Sequence, residues 1–343
     1  MTKAERLFRY KKFCSSTNIR TPEGDELLNI RSASSGSSKP AKPIIALIAG
    51  IFCYASVPLF LRFFSRHLDA WTVNSVRYSC GALVWFFFWI KMLKNNPELR
   101  SVLYMALIPS LVNICGQICW AMLPYYVEAP LMAFGARTSF VFTVIFSMFL
   151  FRDERVLARK FLFWSGVVIC LIGFITMYKP QNMMTSKTSF TGMMLTFITA
   201  IFWGLYAVIV KRYVIRYPPV LAFGVISLYT ALCLDFLAVI FGKLYMLGNM
   251  DAVKITLLIG SGIIGIAIAH VLSYTAIAGL GTIVTTGVSL TGPFVTSLGG
   301  YILLGEVLSL SQWLGGIMII SGALLLLLAR FQSSREIAQI DIE

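Results

Sequence analysis

The sequence predicts an all-α integral membrane protein with ten transmembrane helices arranged as two inverted five-helix repeats. Three observations predict it. The 343 residues are 58% hydrophobic and 13% charged, with a mean hydropathy of +0.80, which does not describe a surface facing water. Ten apolar windows of about 20 residues, each long enough to cross a hydrocarbon core of ~30 Å, fill residues 44–330. A shift of about 150 residues brings the second half of the chain into register with the first. The apolar runs are continuous, where a membrane β-barrel would alternate in ~10-residue segments.

Taken in order, residues 1–43 form a tail that begins with the basic TKAERLFRYKK and ends in the Ser/Gly/Pro-rich SASSGSSKPAKP. The charged part and the first apolar run are both too long for a cleavable signal. A solvated cytoplasmic tail is the expectation, with binding to a partner or to anionic lipid as the other reading. The first repeat, 44–179, holds spans at 44–64, 70–92, 101–121, 129–151 and 159–178. The second, 188–330, holds spans at 190–210, 219–241, 254–277, 281–304 and 308–329, and residues 331–343 form a second cytoplasmic tail. The connections leave no room for a soluble domain, so any chemistry must lie within the helical bundle.

The net charge of +14 is explained by where the charges fall. With both termini cytoplasmic, 21 Lys and Arg lie on the inner side, six on the outer side, and only Arg77 and Arg137 lie within spans. That is the positive-inside pattern, and it gives no support to nucleic-acid binding. The seven cysteines form no C-x-x-C pair and two histidines do not complete a usual zinc site, so neither a metal nor a cofactor is expected. H-E-x-x-H, G-x-S-x-G and Walker A motifs are absent, which argues against an enzyme and against nucleotide hydrolysis within the chain.

The repeat is legible residue by residue. ALIAGIFCYASVPLFLRFFSR (46–66) lies over TFITAIFWGLYAVIVKRYVIR (196–216), pairing Arg62 with Arg212 and Arg66 with Arg216. SMFLFRDE (147–154) lies over GGYILLGE (299–306), and Gly166 and Gly173 share their spacing with Gly315 and Gly322. Five spans per repeat make the two halves cross in opposite directions, a mark of many transporters with a midplane site between repeats. With TGPFVTSLGGYILLGEVLSLSQWLGGIMIISGALLLL (291–328) and its weaker first copy ending RDERVL, the chain resembles the EamA-like branch of the drug/metabolite transporter superfamily over about 44–330. The resemblance implies a central cavity lined by spans one, three, four, six, eight and nine. Two departures mark the first repeat: it has no proline matching Pro293, and RDE stands where the second repeat has Gly305-Glu306.

Candidate site residues follow from helical spacing. In MAFGARTSFVFTVIFS (132–147), Gly135, Ser139, Thr143 and Ser147 form a small-residue stripe for close helix approach. Arg137 points away from it, at a cost in hydrocarbon of roughly 2.5 to 3.5 kcal/mol on insertion scales, so it is expected to face a polar interior. There it either pairs with Asp235 or Glu128 or receives a substrate carboxylate or phosphate. Arg77 is expected to snorkel to the outer interface. Ser110, Asn113, Gln117 and Trp120 share one stripe of span three, and His270 and Tyr274 one stripe of span eight. His270 offers either a helix-joining hydrogen bond or a titrating group for proton coupling. Tyr54, Trp203 and Tyr206 add aromatic surface for packing or stacking. Span nine brings Thr282, Thr285, Thr286, Ser289 and Thr291, while Glu306, Asp153 and Glu154 are expected to be interfacial and solvated.

The expected partners are thus the lipid bilayer and a small-molecule substrate, with a homodimer left open. The expected function is alternating-access transport, secondary-active or facilitative, of amino-acid-like or other anionic metabolites. A carrier of phosphorylated or nucleotide-derived solutes, or a non-transporting receptor or scaffold, is the rival. A plasma or bacterial inner membrane is expected, with an organellar membrane as the alternative.

Overall fold

In the computed structural model, residues 41–340 are described apart from 152, 179–189, 215 and 281, and they are helical with no strand among them. The basic tail of residues 1–40 lies outside the described residues. Helices one and two are Ala41–Phe64 and Ala70–Asn95; helix three is Leu107–Met122 after a short turn, Val102–Met105. Helix four is Ala129–Gly135 and Ser139–Leu150 joined by a 3-10 turn, and helix five is Phe161–Met177. Helices six and seven are Phe190–Tyr213 and Pro219–Phe241. Helix eight is Ala252–Gly262 and Ala269–Leu280 around a π-helical stretch, Ile263–Ile268. Helix nine is Thr282–Ser289 and Gly292–Gly299 followed by a π turn, and helix ten is Leu310–Ile340. Helix ten therefore runs on past 330, where the sequence reading placed a tail.

Nine of these segments are long and apolar enough to cross a membrane. Helix five, with 17 residues, reaches about 26 Å at 1.5 Å per residue. Large apolar side chains stand on the outside of the bundle, Phe87, Phe149 and Phe161 being 75%, 72% and 86% exposed. In water such a surface would aggregate; in a bilayer it faces lipid, and the protein is an integral, multi-pass membrane protein.

Helix termini are set by familiar devices. Asp69 caps helix two by accepting from Thr72 N–H at 3.0 Å, and Asp251 caps helix eight through Lys254 N–H at 2.8 Å. Pro130 opens helix four and Pro219 helix seven, at positions where a missing N–H costs nothing.

Packing repeats the sequence symmetry. Helix one packs on helix eight as helix six packs on helix three, and the second part of helix four packs on helix six as that of helix nine packs on helix one. Helix two pairs with seven, and helix five with ten. The five–ten contact explains the shared glycine spacing. A Cβ on Gly166 would stand 2.9 Å from the Gly322 carbonyl oxygen, and one on Gly173 2.7 Å from that of Gly315. Four glycines thus bring two backbones together without side chains between them.

Candidate functional site

The site is built from two interrupted helices. The 3-10 turn Ala136–Thr138 breaks helix four, in a run of residues that propagate a helix poorly (Gly135, Thr138, Ser139). Leu290 and Thr291 break helix nine just before Pro293, whose ring and missing N–H prevent a continuous helix. The repeat alignment puts these two breaks at corresponding positions, and they face each other. Arg137 sits in the first, and its Nη2 lies beside Gly292 in the second, where an added Cβ would come within 3.0 Å.

Arg137 is the chemical centre of this junction. Its Nε is buried without a hydrogen-bond partner, and no ion pair joins it to any described residue. Asp235, one partner considered above, is instead held by Ser75 at 2.5 Å and Ser79 at 2.8 Å. Tyr54 of helix one is within electrostatic reach of the guanidinium. A narrow crevice between helices one, eight and nine lies beside Tyr54, in the half of the bundle toward the end where helix one begins and helix ten finishes, the near end. Gly50, Ser273, Thr285 and Ser289 line it, and the Thr285 hydroxyl is also buried without a partner.

The other predicted residues divide into those close to this junction and those apart from it. His270 stacks on Phe223 at 3.9 Å and meets Tyr54 edge-on at 5.5 Å. Its Nδ1 donates to the Ile266 carbonyl at 2.7 Å, which leaves Nε2 as an acceptor. Trp120 and Trp203 pack against each other at 4.6 Å, with Trp203 lying over Gly116. Gln117 is half-buried and its side chain makes no hydrogen bond to a described residue, although its carbonyl accepts from Asn74. Asn113 is 4% exposed and donates to Thr230 at 3.0 Å and to the Tyr78 hydroxyl, so it joins helices two, three and seven. Tyr206 packs in a separate cluster with Trp89 and Leu221. The Tyr274 side chain lies outside the described residues.

Two expectations are corrected. Arg77 does not snorkel: it is 3% exposed and donates from Nε to Ser261 Oγ at 3.0 Å, because helix eight presents Ser261, Gly262 and Gly265 against it. Glu306 is not solvated. It is 7% exposed and pairs with Arg62 Nε at 2.6 Å, while its other oxygen accepts from Ala129 N–H at 2.9 Å. Arg62 also donates to the Pro124 carbonyl. Gly305, at φ 69°, makes this turn at the end of helix nine, a conformation that favours glycine. The pair ties helices one and four to the end of helix nine at the far end of the bundle. Its sequence signals were the G-E dipeptide and the matching of Arg62 to Arg212. The side chains of Asp153 and Glu154 lie outside the described residues.

A multi-pass bundle whose corresponding helices break opposite each other at membrane depth, with a cation in the break, has the architecture of a transporter. Comparison with known proteins gives the family. Residues 41–179 and again 190–328 match the EamA-like transporter family, and the chain belongs to it. It is similar to an uncharacterized transporter of Haemophilus influenzae, at 23% identity over 277 residues, covering 78% of this chain and 91% of that one. A protein of known crystal structure superposes with a TM-score of 0.56 at 15% identity, over 85% of this chain and 99% of its own, a likeness of fold. The protein is a membrane transporter.

Proposed function

We propose that the protein is a secondary carrier of small organic anions that works by alternating access, with Arg137 as the receptor for a carboxylate or phosphate group. The observation that carries the reading is the absence of any counter-charge on Arg137 among the described residues. A guanidinium stays protonated in essentially any protein setting, and burying it unpaired is costly. An anionic solute supplies the missing partner, and the planar donor fork suits two oxygens at once. Tyr54, His270 and the Trp120–Trp203 pair offer apolar and hydrogen-bonding surface for the rest of the solute.

The two interrupted helices supply the moving parts. Breaks at corresponding positions let the halves of helices four and nine tilt separately, so the repeats can rock about the solute. In this reading the Arg62–Glu306 pair is the gate of the far end, and the crevice beside Tyr54 begins the path on the other side. Binding on one side, exchange of the closed end and release on the other follow from this arrangement.

The test is uptake of a mixed metabolite pool into proteoliposomes, read by mass spectrometry, for the wild type and for Arg137→Gln of equal folded yield. Accumulation of anionic solutes by the wild type, lost at least tenfold in the mutant, is expected. Equal uptake by the two proteins would remove Arg137 from the transport path.

A further inference from the structure

The second intramembrane arginine, like the first, has no ion pair to a described residue. Arg77 is 3% exposed, and its single hydrogen bond among the described residues runs from Nε to Ser261 Oγ at 3.0 Å. Its two terminal nitrogens make none to a described residue. No described carboxylate pairs with it. Asp235 of helix seven is instead bound by Ser75 and Ser79 of helix two, each two positions from Arg77 and so about 200° round the helix. The helix that faces Arg77 is the one with the π-helical stretch, Ile263–Ile268, where Nη2 comes close to Gly265 beside Val57. Such stretches are frequent at functional sites because they displace backbone from its regular ladder.

Arg77 and Arg137 also share a level. Counted from the far ends of helices two and four, they lie about 10 Å and about 12 Å deep at 1.5 Å per residue. Their neighbours on helix one, Val57 and Tyr54, are one turn apart on the same face. Two uncompensated guanidinium groups therefore flank one side of helix one at one depth. A solute with one negative group would give a counter-charge to one and leave the other without.

We propose that Arg77 is a second anion receptor and that the transported solute carries two separated acidic groups, a dicarboxylate or a phosphorylated carboxylate, one for each arginine. The proposal deepens the reading of Arg137 and rests on it.

The experiment is the same proteoliposome uptake, scored by the number of acidic groups on each accumulated solute and run with wild type, Arg77→Gln, Arg77→Lys and Arg137→Gln. The wild type is expected to favour diacidic over monoacidic solutes of similar size at least tenfold. Arg77→Gln should bring that ratio close to one while monoacidic uptake persists, Arg77→Lys should keep part of it, and Arg137→Gln should lose both classes. A wild type that prefers monoacidic solutes, or an Arg77→Gln protein that keeps the wild-type ratio, overturns the proposal. If the wild type takes up no anion, the carrier reading itself fails, and this one with it. Should Arg77→Gln not fold, Ser261→Ala frees only the Nε hydrogen bond. A KM raised for diacidic solutes alone then supports the proposal, and an equal change for both classes overturns it.

Discussion

Asp69 caps helix two and holds the chain after helix seven with one carboxylate. Its oxygens accept from the Thr72 amide at 3.0 Å, the Thr72 hydroxyl at 2.6 Å and the Lys243 amide at 2.9 Å, so the cap of helix two also anchors the chain just after helix seven. Burial alone would raise its pKa, but these hydrogen bonds outweigh it and hold the carboxyl below its ordinary value. A lowered carboxylate contributes stability that is fully present above the unfolded-state value and is lost as pH falls through the folded-state one. Asp69→Ala is therefore expected to cost about 1 to 2 kcal/mol at neutral pH, as other N-cap deletions do. Melting temperature against pH in detergent should show the two proteins converging only in acid, and a gap constant down to pH 3 would refute the assignment. Single residues also mark the limit of what the sequence reveals. The depth of Arg137 in span four could be read from the sequence. The direction of Arg77 could not, because distance from a membrane edge says how far a long side chain must reach and not which neighbour it meets.

At the level of elements, spacing was legible and interruption less so. The Gly166–Gly173 and Gly315–Gly322 pairs stand out in the sequence because identical intervals in two repeats need a common cause, here the backbone contact of helices five and ten. The break in helix nine is announced by Pro293, whereas that in helix four has no proline and depends on Ala136–Thr138 tightening into a 3-10 turn. The small-residue stripe of span four does meet a neighbour. An added Cβ on Gly204 of helix six would stand 2.5 Å from Phe142 and 2.8 Å from the Thr143 nitrogen, and one on Gly135 would stand 2.5 Å from Thr196. Replacing a contact glycine tests how much these approaches contribute. Gly173→Leu would place a branched side chain where even a Cβ lies 2.7 Å from a backbone oxygen that cannot withdraw. The expected loss is about 3 kcal/mol, the upper part of the overpacking range, read as a lower melting temperature and an aggregated fraction on size exclusion. Gly260, where an added Cβ meets nothing within 4 Å, is the control, and Gly260→Ala should melt within a degree or two of wild type.

Across the whole molecule, the inverted repeat predicts that whatever closes one end must be able to open. The Arg62–Glu306 pair is suited to that task because it is buried, at 11% and 6% side-chain exposure, and joins the first repeat to the second. A pair so placed is sensitive to the loss of either partner. Removing one leaves an uncompensated buried charge, at a cost of roughly 3 to 5 kcal/mol to the closed arrangement. Since each 1.4 kcal/mol is about tenfold in an equilibrium constant, Arg62→Gln and Glu306→Gln are both expected to shift the population strongly toward a far end that is open. Ser297 reports it: this residue is 5% exposed in the far half of helix nine, so a cysteine there, in a background freed of native cysteines, should react slowly with a membrane-impermeant thiol reagent. The single mutants should speed that reaction at least tenfold and lower the transport rate, because a carrier biased to one side completes its cycle less often. The exchange Arg62→Glu with Glu306→Arg separates a gate from a mere brace. It restores the attraction between helices one and nine while losing the Ala129 and Pro124 hydrogen bonds, so labelling should fall part of the way back toward wild type. Labelling unchanged in all three proteins would mean that the far end is held by apolar packing and that the ion pair does not control the cycle.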